Sequence, residues 1–344
     1  MNQIIYAPIL IATCNRIDHL KRTINALQCA EGASNTPLYI SIDGPYSESV
    51  RIANDEVKKF INNVEGFLYV KVFEREKNIG TYNNFMVSTR MIFKKYSRII
   101  YLEDDCLVSN NFIKYLNRAL DFYENDFSCY AVCGYNYPTY SEEDLNSTDV
   151  YKSQYFSGWG VGFFRDRYIE PKFLLIKWGH LYRNPLKFYR AERLGGLISS
   201  LMLMKYKKEI WGDVCNTHHL LQKNMYCIFP TKTKVINIGN DGSGVNCIKD
   251  EKFEMQNFLE EKSRDLILKS NNATDIIYRK KNRFYFGSNS PLVIIYTYFI
   301  YLIIGRFEGA IYDRLYNLLL SPVRAAFVLK KISLLMVNYF KILK

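Results

Sequence analysis

The sequence predicts an α/β protein: a mostly parallel sheet flanked by helices, followed by a helical C-terminal tail. Three observations lead there. Short apolar runs alternate with amphipathic stripes through the first 135 residues, the pattern of a parallel sheet covered on both faces. Near residue 136 that alternation stops. From Pro291 on, the chain becomes apolar, aromatic and basic.

The elements follow in order. "APILIAT", residues 7–13, reads as a first strand, and Ile17, Leu20, Ile24 and Leu27 form a helical stripe after it. "PLYISID" is a second strand ended by the turn "GP". Val50, Val57, Phe60 and Ile61 mark a helix starting near Ser47–Ser49. "FLYVKVF" is a third strand, residues 81–95 a helix, and "RIIYLED" a fourth strand. Ser109 is placed to cap the next helix, whose apolar face is Phe112, Leu116, Leu120 and Tyr123. "CYAVCGY" is a fifth strand. Beyond it, "YFSGWGVGFFRDRY" reads as a strand passing through a glycine-rich turn into a helix, and "EIWGDVCNTHHLLQKN" as a helix. "MYCIFP" and "KTKVINIG" are short strands, "NDGSGVN" a glycine-rich loop, and residues 251–283 are helical in composition.

Composition narrows the function. The chain has 344 residues, 48% hydrophobic and 23% charged, which is ordinary globular material with ample length for a core. Its 28 tyrosines and 22 phenylalanines are accounted for mostly by packing. A net charge of +12 attracts nucleotide phosphates or an anionic lipid surface. No zinc-finger spacing, aromatic RNA-binding signature or basic run of five is present, so nucleic acid is not the expected partner. The eight cysteines are scattered without a CxxC pair, as expected of reduced thiols in a cytosolic compartment. "IIYAPILIATC" carries no preceding positive charge and is interrupted by Pro8. It is read as a buried strand rather than a leader.

The chemistry-bearing stretch is "RIIYLEDDCLVSNNF". A buried strand delivers Glu103, Asp104 and Asp105 to its carboxyl end, where ligands bind in parallel sheets. Such acids hold Mg2+ or Mn2+, hard cations that also take phosphate oxygens. Alone, "EDD" reads better as a solvated acidic turn before a helix. Its neighbours shift the balance: "ILIATCNR", "SIDG" ending on Asp43, and "NIGTYNN" fall before it in order.

With these four motifs the chain resembles the nucleotide-sugar glycosyltransferases of the GT-A fold, over roughly residues 7–250. The form "EDD" with a following phenylalanine is nearer the Golgi N-acetylglucosaminyltransferase I family and its bacterial relatives than the commonest bacterial "DxD" enzymes. The bacterial family 2-like transferases are also similar. The resemblance implies a nucleotide-sugar-binding half over 1–135 and an acceptor half over 136–250, within a domain of 1–285. It further implies Thr13 and Arg16 at the diphosphate or base, and Asp43 at the uracil or ribose. Asn78 and Gly80 of the "NIG" segment belong to the same donor site. Asp104 would touch ribose or sugar, Glu103 would bind the sugar or brace the loop, and Asp105 would hold the metal. In "SGWGVGFF", Gly158 and Gly160 would admit a sugar close to the backbone and Trp159 would give it a flat face.

An inverting transferase needs a carboxylate to take the acceptor hydroxyl's proton. "IWGDV" resembles the family's segment for that acid, which implies Asp213, although Gly212 stands where some relatives have a second acid. As plain structure, Asp213 would be a helix N-cap. His218 and His219 rank below it as base or ligand. "NIGNDGSGVNC" resembles a bacterial "NIGxDGxGxH" segment, with Asn246 in place of the histidine. Two other readings stand beside the transferase. A sugar-phosphate nucleotidyltransferase would carry glycines after the first strand that "ATCNRIDHLKR" lacks. A non-catalytic carbohydrate- or membrane-binding protein would not need the acids.

The tail, residues 286–344, includes the 14-residue apolar run "PLVIIYTYFIYLII", too short for a confident span. From Pro291 on it carries seven basic and two acidic residues. Aromatic and apolar faces with basic flanks suit a helix lying on an anionic membrane; packing on the core is the alternative. The expected protein is therefore cytoplasmic and peripheral on the inner face of the cell membrane. It would use a UDP-sugar donor and a saccharide or lipid-linked acceptor in surface polysaccharide synthesis.

Overall fold

A computed structural model describes residues 6–137, 148–171, 181–239, 241, 265–285 and 291–320. The chain divides into two compact units, one of residues 1–170 and 219–285, the other of 171–218 and 286–344. The described helices are α1 (Ile17–Gln28), α2 (Glu48–Ile61), α3 (Thr81–Phe93), α4 (Phe112–Phe122), α5 (Pro185–Glu192), α6 (Leu197–Lys207), α7 (Gly212–Lys223), α8 (Asn272–Tyr285), α9 (Pro291–Ile304) and α10 (Gly309–Leu320). The unit boundary falls within α7.

The first unit holds all the described strands: β1 (Ile9–Thr13), β2 (Pro37–Ile42), β3 (Tyr69–Glu74), β4 (Arg98–Glu103), β5 (Cys106–Val108), β6 (Cys129–Cys133), β7 (Val150–Ser153), β8 (Val161–Phe164), β9 (Tyr226–Pro230) and β10 (Val235–Asn237). Eight of them form one sheet in the order β3-β2-β1-β4-β8-β6-β9-β7. The strands β3, β2, β1 and β4 run parallel. Strand β8 is antiparallel to both β4 and β6; β6 pairs parallel with β9, and β9 antiparallel with β7. The mostly parallel sheet read from the alternation is thus found in full in its first half. The second half is mixed.

Strands β1 and β2 are buried at every position, as expected where helices cover both faces. Their apolar filling is largely aliphatic: Ile9, Leu10, Ile11, Leu38, Ile40, Ile99, Ile100 and Leu102. The edge strand β3 is more exposed. At the far end of α4, the buried Arg167 donates to the carbonyls of Asp126 at 2.7 Å and Cys129 at 3.0 Å and stacks on Phe164 at 4.0 Å. A guanidinium so satisfied pins the turn into β6 without leaving a bare buried charge.

Three local expectations need correcting. Ser109 does not cap α4: Asn111 holds the cap position, and Ser109 Oγ instead donates to its side chain at 3.0 Å. The glycine-rich turn of residues 157–160 leads into β8 rather than into a helix, and residues 165–170 are not helical. Strand β5 was absent from the expected elements. At three residues it is too short to show a period, and its pairing with β10 is what orders it. Of the expected helix over 251–283, residues 251–264 lie outside the described residues, and α8 begins at Asn272.

In the second unit, Asn184 caps α5 by accepting from the amides of Leu186 and Lys187 at 3.0 and 3.1 Å, with Pro185 at the first helical position. The buried Glu192 carboxylate takes the amides of Ile198 and Ser199 at the start of α6, where negative charge is favoured. Phe188 meets Tyr298 and Tyr301, and Tyr206 stacks on Tyr316. Helix α9 buries Ile294, Ile300, Tyr301 and Ile304, while Leu292, Ile295, Phe299 and Ile303 are exposed. Among the described residues no helix is long and apolar enough to cross a membrane. Residues 321–344 lie outside the described set.

Candidate functional site

The carboxyl ends of three parallel strands supply the site. Thr13 is opposite Ile42 in the ladder and Ala12 is opposite Glu103, so the ends of β1, β2 and β4 finish side by side. Asp43, just past β2, is buried. Its Oδ1 accepts the amide of Ile79 at 2.9 Å, and Asn78 Nδ2 donates to Gly44 O at 2.8 Å. The 77–79 turn presses so closely that a Cβ on Gly44 would lie 2.4 Å from the Lys77 carbonyl carbon. Asn78 and Asp43, predicted from separate motifs, thus meet in one corner. Gly80 has φ +82° and leads α3, a conformation that glycine adopts without strain.

Asn54, on α2, ties the ends of β1 and β2 together. Its Nδ2 donates to Cys14 O at 2.7 Å and Asp43 O at 2.9 Å. Sequence reasoning missed this residue, yet the signal existed. Asn54 falls in register with Val50, Val57 and Ile61 on the buried stripe of α2, where a polar side chain must have a partner. Thr23 interrupts the stripe of α1 in the same way and donates to Asp104 O at 2.9 Å.

The acidic turn follows β4. Thr13 Oγ1 donates to Asp104 Oδ2 at 2.6 Å. Burial pushes the Asp104 carboxyl up to about 7; the Thr13 bond pulls it down and the Asp105 charge pushes it up again. Asp105 is almost wholly buried. Its Oδ2 accepts from Arg16 Nη1 at 2.5 Å and its Oδ1 from Asn237 Nδ2 at 3.0 Å. The same Arg16 nitrogen lies 3.8 Å from Asp104 Oδ1. Arg16 stands at the N-cap position of α1, where a helix start also attracts anions.

The segment after β10 closes over this turn. Ile238 N donates to Asp105 O at 2.8 Å, and Gly239 N to Asn237 Oδ1 at 2.8 Å. A Cβ on Gly239 would lie 2.0 Å from Asp105 Oδ2 and 2.9 Å from Arg16 Nη2, so a side chain there would have to push one of those groups aside. Asp241 Oδ2 lies 3.1 Å from His19 Nε2, and its Oδ1 3.9 Å from Arg16 Nη2. This closing segment is the start of "NIGNDGSGVNC". Asn237, Gly239 and Asp241 are its contributing residues, and the remainder of 240–247, Asn246 included, lies outside the described residues.

Glu103, Asp105 and Cys106 offer ligand atoms within 4.8 Å of one another. Cys106 is fully buried, and burial first, then the Asp105 charge, drives its thiol well above its ordinary pKa. The remaining donors are two carboxylates, which fit a hard divalent ion that completes its shell with phosphate oxygens.

The other predicted residues fall elsewhere. Gly160 has φ +68°, and a Cβ there would lie 2.6 Å from Val235 and 2.9 Å from Phe112, so packing alone requires glycine. Trp159 is half-buried with its ring edge-on to Tyr135 at 4.7 Å, and Gly158 is also half-buried. Asp213 is exposed and occupies the second residue of α7 rather than its cap. It belongs to the second unit, as does His218, which meets Tyr182 Oη through Nδ1 at 2.7 Å. His219, in the first unit, packs its ring against Tyr130 at 5.3 Å.

The family sequence model for "GNT-I family" matches residues 1–193, more than half of the chain and all three strand ends. The chain belongs to the GNT-I family. A curated relative from Arabidopsis thaliana, an alpha-1,3-mannosyl-glycoprotein 2-beta-N-acetylglucosaminyltransferase, is 25% identical over 191 residues. The match takes in 51% of this GNT-I family chain and 40% of the relative, so the chain spans well under half of that protein's length. Among solved structures, the mannosyltransferase PcManGT from Pyrobaculum calidifontis, in complex with GDP-Man and Mn2+, matches with a TM-score of 0.32 at 10% identity. That match covers 47% of this chain and 46% of the other. S. aureus TarS 1–349, in complex with UDP-GlcNAc, gives a TM-score of 0.33 at 11% identity over 46% and 45% of the two chains.

Proposed function

We propose that this chain is an inverting, metal-dependent glycosyltransferase. It would take a sugar from a nucleotide diphosphate sugar, a UDP-sugar and UDP-GlcNAc first, and pass it to a saccharide or lipid-linked acceptor. The observation that carries the reading is the convergence of three strand ends on one edge: Thr13 with Arg16, Asp43 with Asn78, and the acidic turn of residues 103–105. Family membership supports it, and the Arabidopsis relative's N-acetylglucosaminyl transfer supports the donor.

In this reading Asp43 and Asn78 hold the base and ribose, and Arg16 the diphosphate. Glu103 and Asp104 face ribose and sugar, and Gly158 and Trp159 line the acceptor side. Asp105, with Glu103 beside it, would hold Mn2+ or Mg2+. A bound divalent ion would supply positive charge against the departing diphosphate. Asp213 accepts the proton of the acceptor hydroxyl as that oxygen attacks the anomeric carbon. The bond from that carbon to the diphosphate oxygen breaks, its electron pair leaves with the diphosphate, and the configuration inverts. The exposed apolar side chains of α9 and the basic residues beyond it in sequence support contact with an anionic membrane. Surface polysaccharide assembly is the proposed setting.

Calorimetry with UDP, GDP and CMP, each with and without Mn2+, tests the donor half. Metal-dependent UDP binding that disappears in Asp105→Ala is expected, and no nucleotide binding under any condition would remove the enzyme reading. Asp213→Asn is expected to lower turnover by about 10²- to 10⁴-fold with UDP affinity kept. Unchanged turnover would exclude Asp213 as the base.

A further inference from the structure

The metal-ligand candidate Asp105 already has both oxygens engaged, one by Arg16 at 2.5 Å and one by Asn237 at 3.0 Å. We propose that Arg16 is a positioning residue that holds Asp105 closed to metal until a nucleoside diphosphate draws the guanidinium away. Metal and diphosphate then bind as a coupled pair, and metal alone binds poorly. The inference rests on the transferase reading of the site.

The argument is one of charge. The Asp105 side chain is 7% exposed and that of Arg16 18%. A carboxylate that far out of water needs a counter-charge, and among the described residues Arg16 is a cation at contact distance. A divalent ion arriving alone must compete with that contact for Oδ2. It would take from the guanidinium its 2.5 Å contact with Asp105, which is closer than Asp104 at 3.8 Å or Asp241 at 3.9 Å. It would also bring two further positive charges beside that guanidinium. A diphosphate changes the balance. Its oxygens accept a guanidinium bidentately, so Arg16 can exchange one anion for another while Oδ2 becomes available.

The closing segment tightens the competition. The space a Cβ on Gly239 would need is filled by Asp105 Oδ2 and Arg16 Nη2, so the backbone there leaves little room for an ion beside an undisturbed Arg16. Because binding free energies are linked, each ligand must raise the other's affinity by the same factor.

Mn2+ binding, read by the loss of the free-ion electron paramagnetic resonance signal, tests this without any turnover. In the wild-type protein Mn2+ alone is expected to bind at least about tenfold more weakly than with saturating UDP, within the usual range of coupling between two ligands. In Arg16→Gln, Mn2+ alone is expected to bind roughly tenfold more tightly than in wild type, with the UDP enhancement reduced to near unity. Arg16→Lys keeps the charge, loses the planar fork, and is expected to fall between the two. It serves as the second variant if Arg16→Gln unfolds. Wild-type coupling that persists unchanged in both variants would overturn the role given to Arg16 and leave the transferase reading standing. Absence of any Mn2+–UDP binding in wild type would overturn both.

Discussion

The two halves of the sheet are built from different material. The parallel half, β3-β2-β1-β4, has a largely aliphatic interior and ends in polar groups that all reach one edge. The mixed half, β8-β6-β9-β7, is filled with rings. Phe163 contacts Tyr130, Phe156 and Tyr168, while Tyr151 stacks on Phe229 and Tyr278. Parallel strands deliver their carboxyl ends together, so chemistry concentrates there. Strands that alternate in direction scatter their ends, and that half contributes rigidity, while the short β10 strand that closes on the acids pairs apart from it with β5. The comparison teaches that site and support are separable, which mutation can test.

The largest expected effect is on the ring-filled half. Phe163 is 2% exposed, and Phe163→Ala should cost about 3–5 kcal/mol of stability, measured by urea denaturation, while the folded fraction keeps its UDP affinity. A loss of affinity in the folded protein would mean that the two halves are not separable. Next comes Asn54→Ala, which leaves the carbonyls of Cys14 and Asp43 without their shared donor. A cost of about 1–3 kcal/mol follows, together with weaker UDP binding, since the ends of β1 and β2 lose their tie. Gly239→Ala acts on the site more than on the fold. Its added methyl must displace Asp105 or Arg16, so Mn2+–UDP affinity should fall about tenfold, or ~1.4 kcal/mol, in calorimetry. Retained affinity would show that the segment after β10 is not part of the site.

How much of this was legible in the sequence follows the same division. Strands β1, β2 and β4 are continuous apolar runs closed by Thr13, Asp43 and Glu103, and the sequence displays both run and terminus. The turn after each strand was therefore readable with its residues. The resemblance put Arg16 at the diphosphate or base, but its contact with Asp105 was not readable, because a contact across 89 positions has no local period. Polar residues on apolar stripes, Thr23 and Asn54, were visible as anomalies whose partners only the fold supplies. In the mixed half, β6 and β9 were readable as "CYAVCGY" and "MYCIFP", while β7 was missed. Strands β5 and β7 have three and four residues, and Gly160 is required by Val235 and Phe112, which are remote in sequence.

The smallest expected effect concerns charge in the ring-filled half. His219 is 6% exposed, its ring set against Tyr130. Burial, and secondarily the Lys223 charge, lowers its pKa below the ordinary 6.5. In the unfolded chain the imidazole takes up its proton near 6.5, while the folded protein resists doing so until a lower pH. Between those two values the unfolded state binds more protons, so stability falls as pH falls. It is fully present above about 6.5 and lost progressively as the pH drops toward the folded value. His219→Gln removes the titrating group and keeps a polar side chain there. The difference in melting temperature between pH 7.5 and pH 5.5 should therefore shrink in the variant, measured by differential scanning fluorimetry without metal or nucleotide. An identical pH dependence in the two proteins would mean that His219 is protonated as readily when folded as when unfolded, and that its place among the rings costs its charged form nothing.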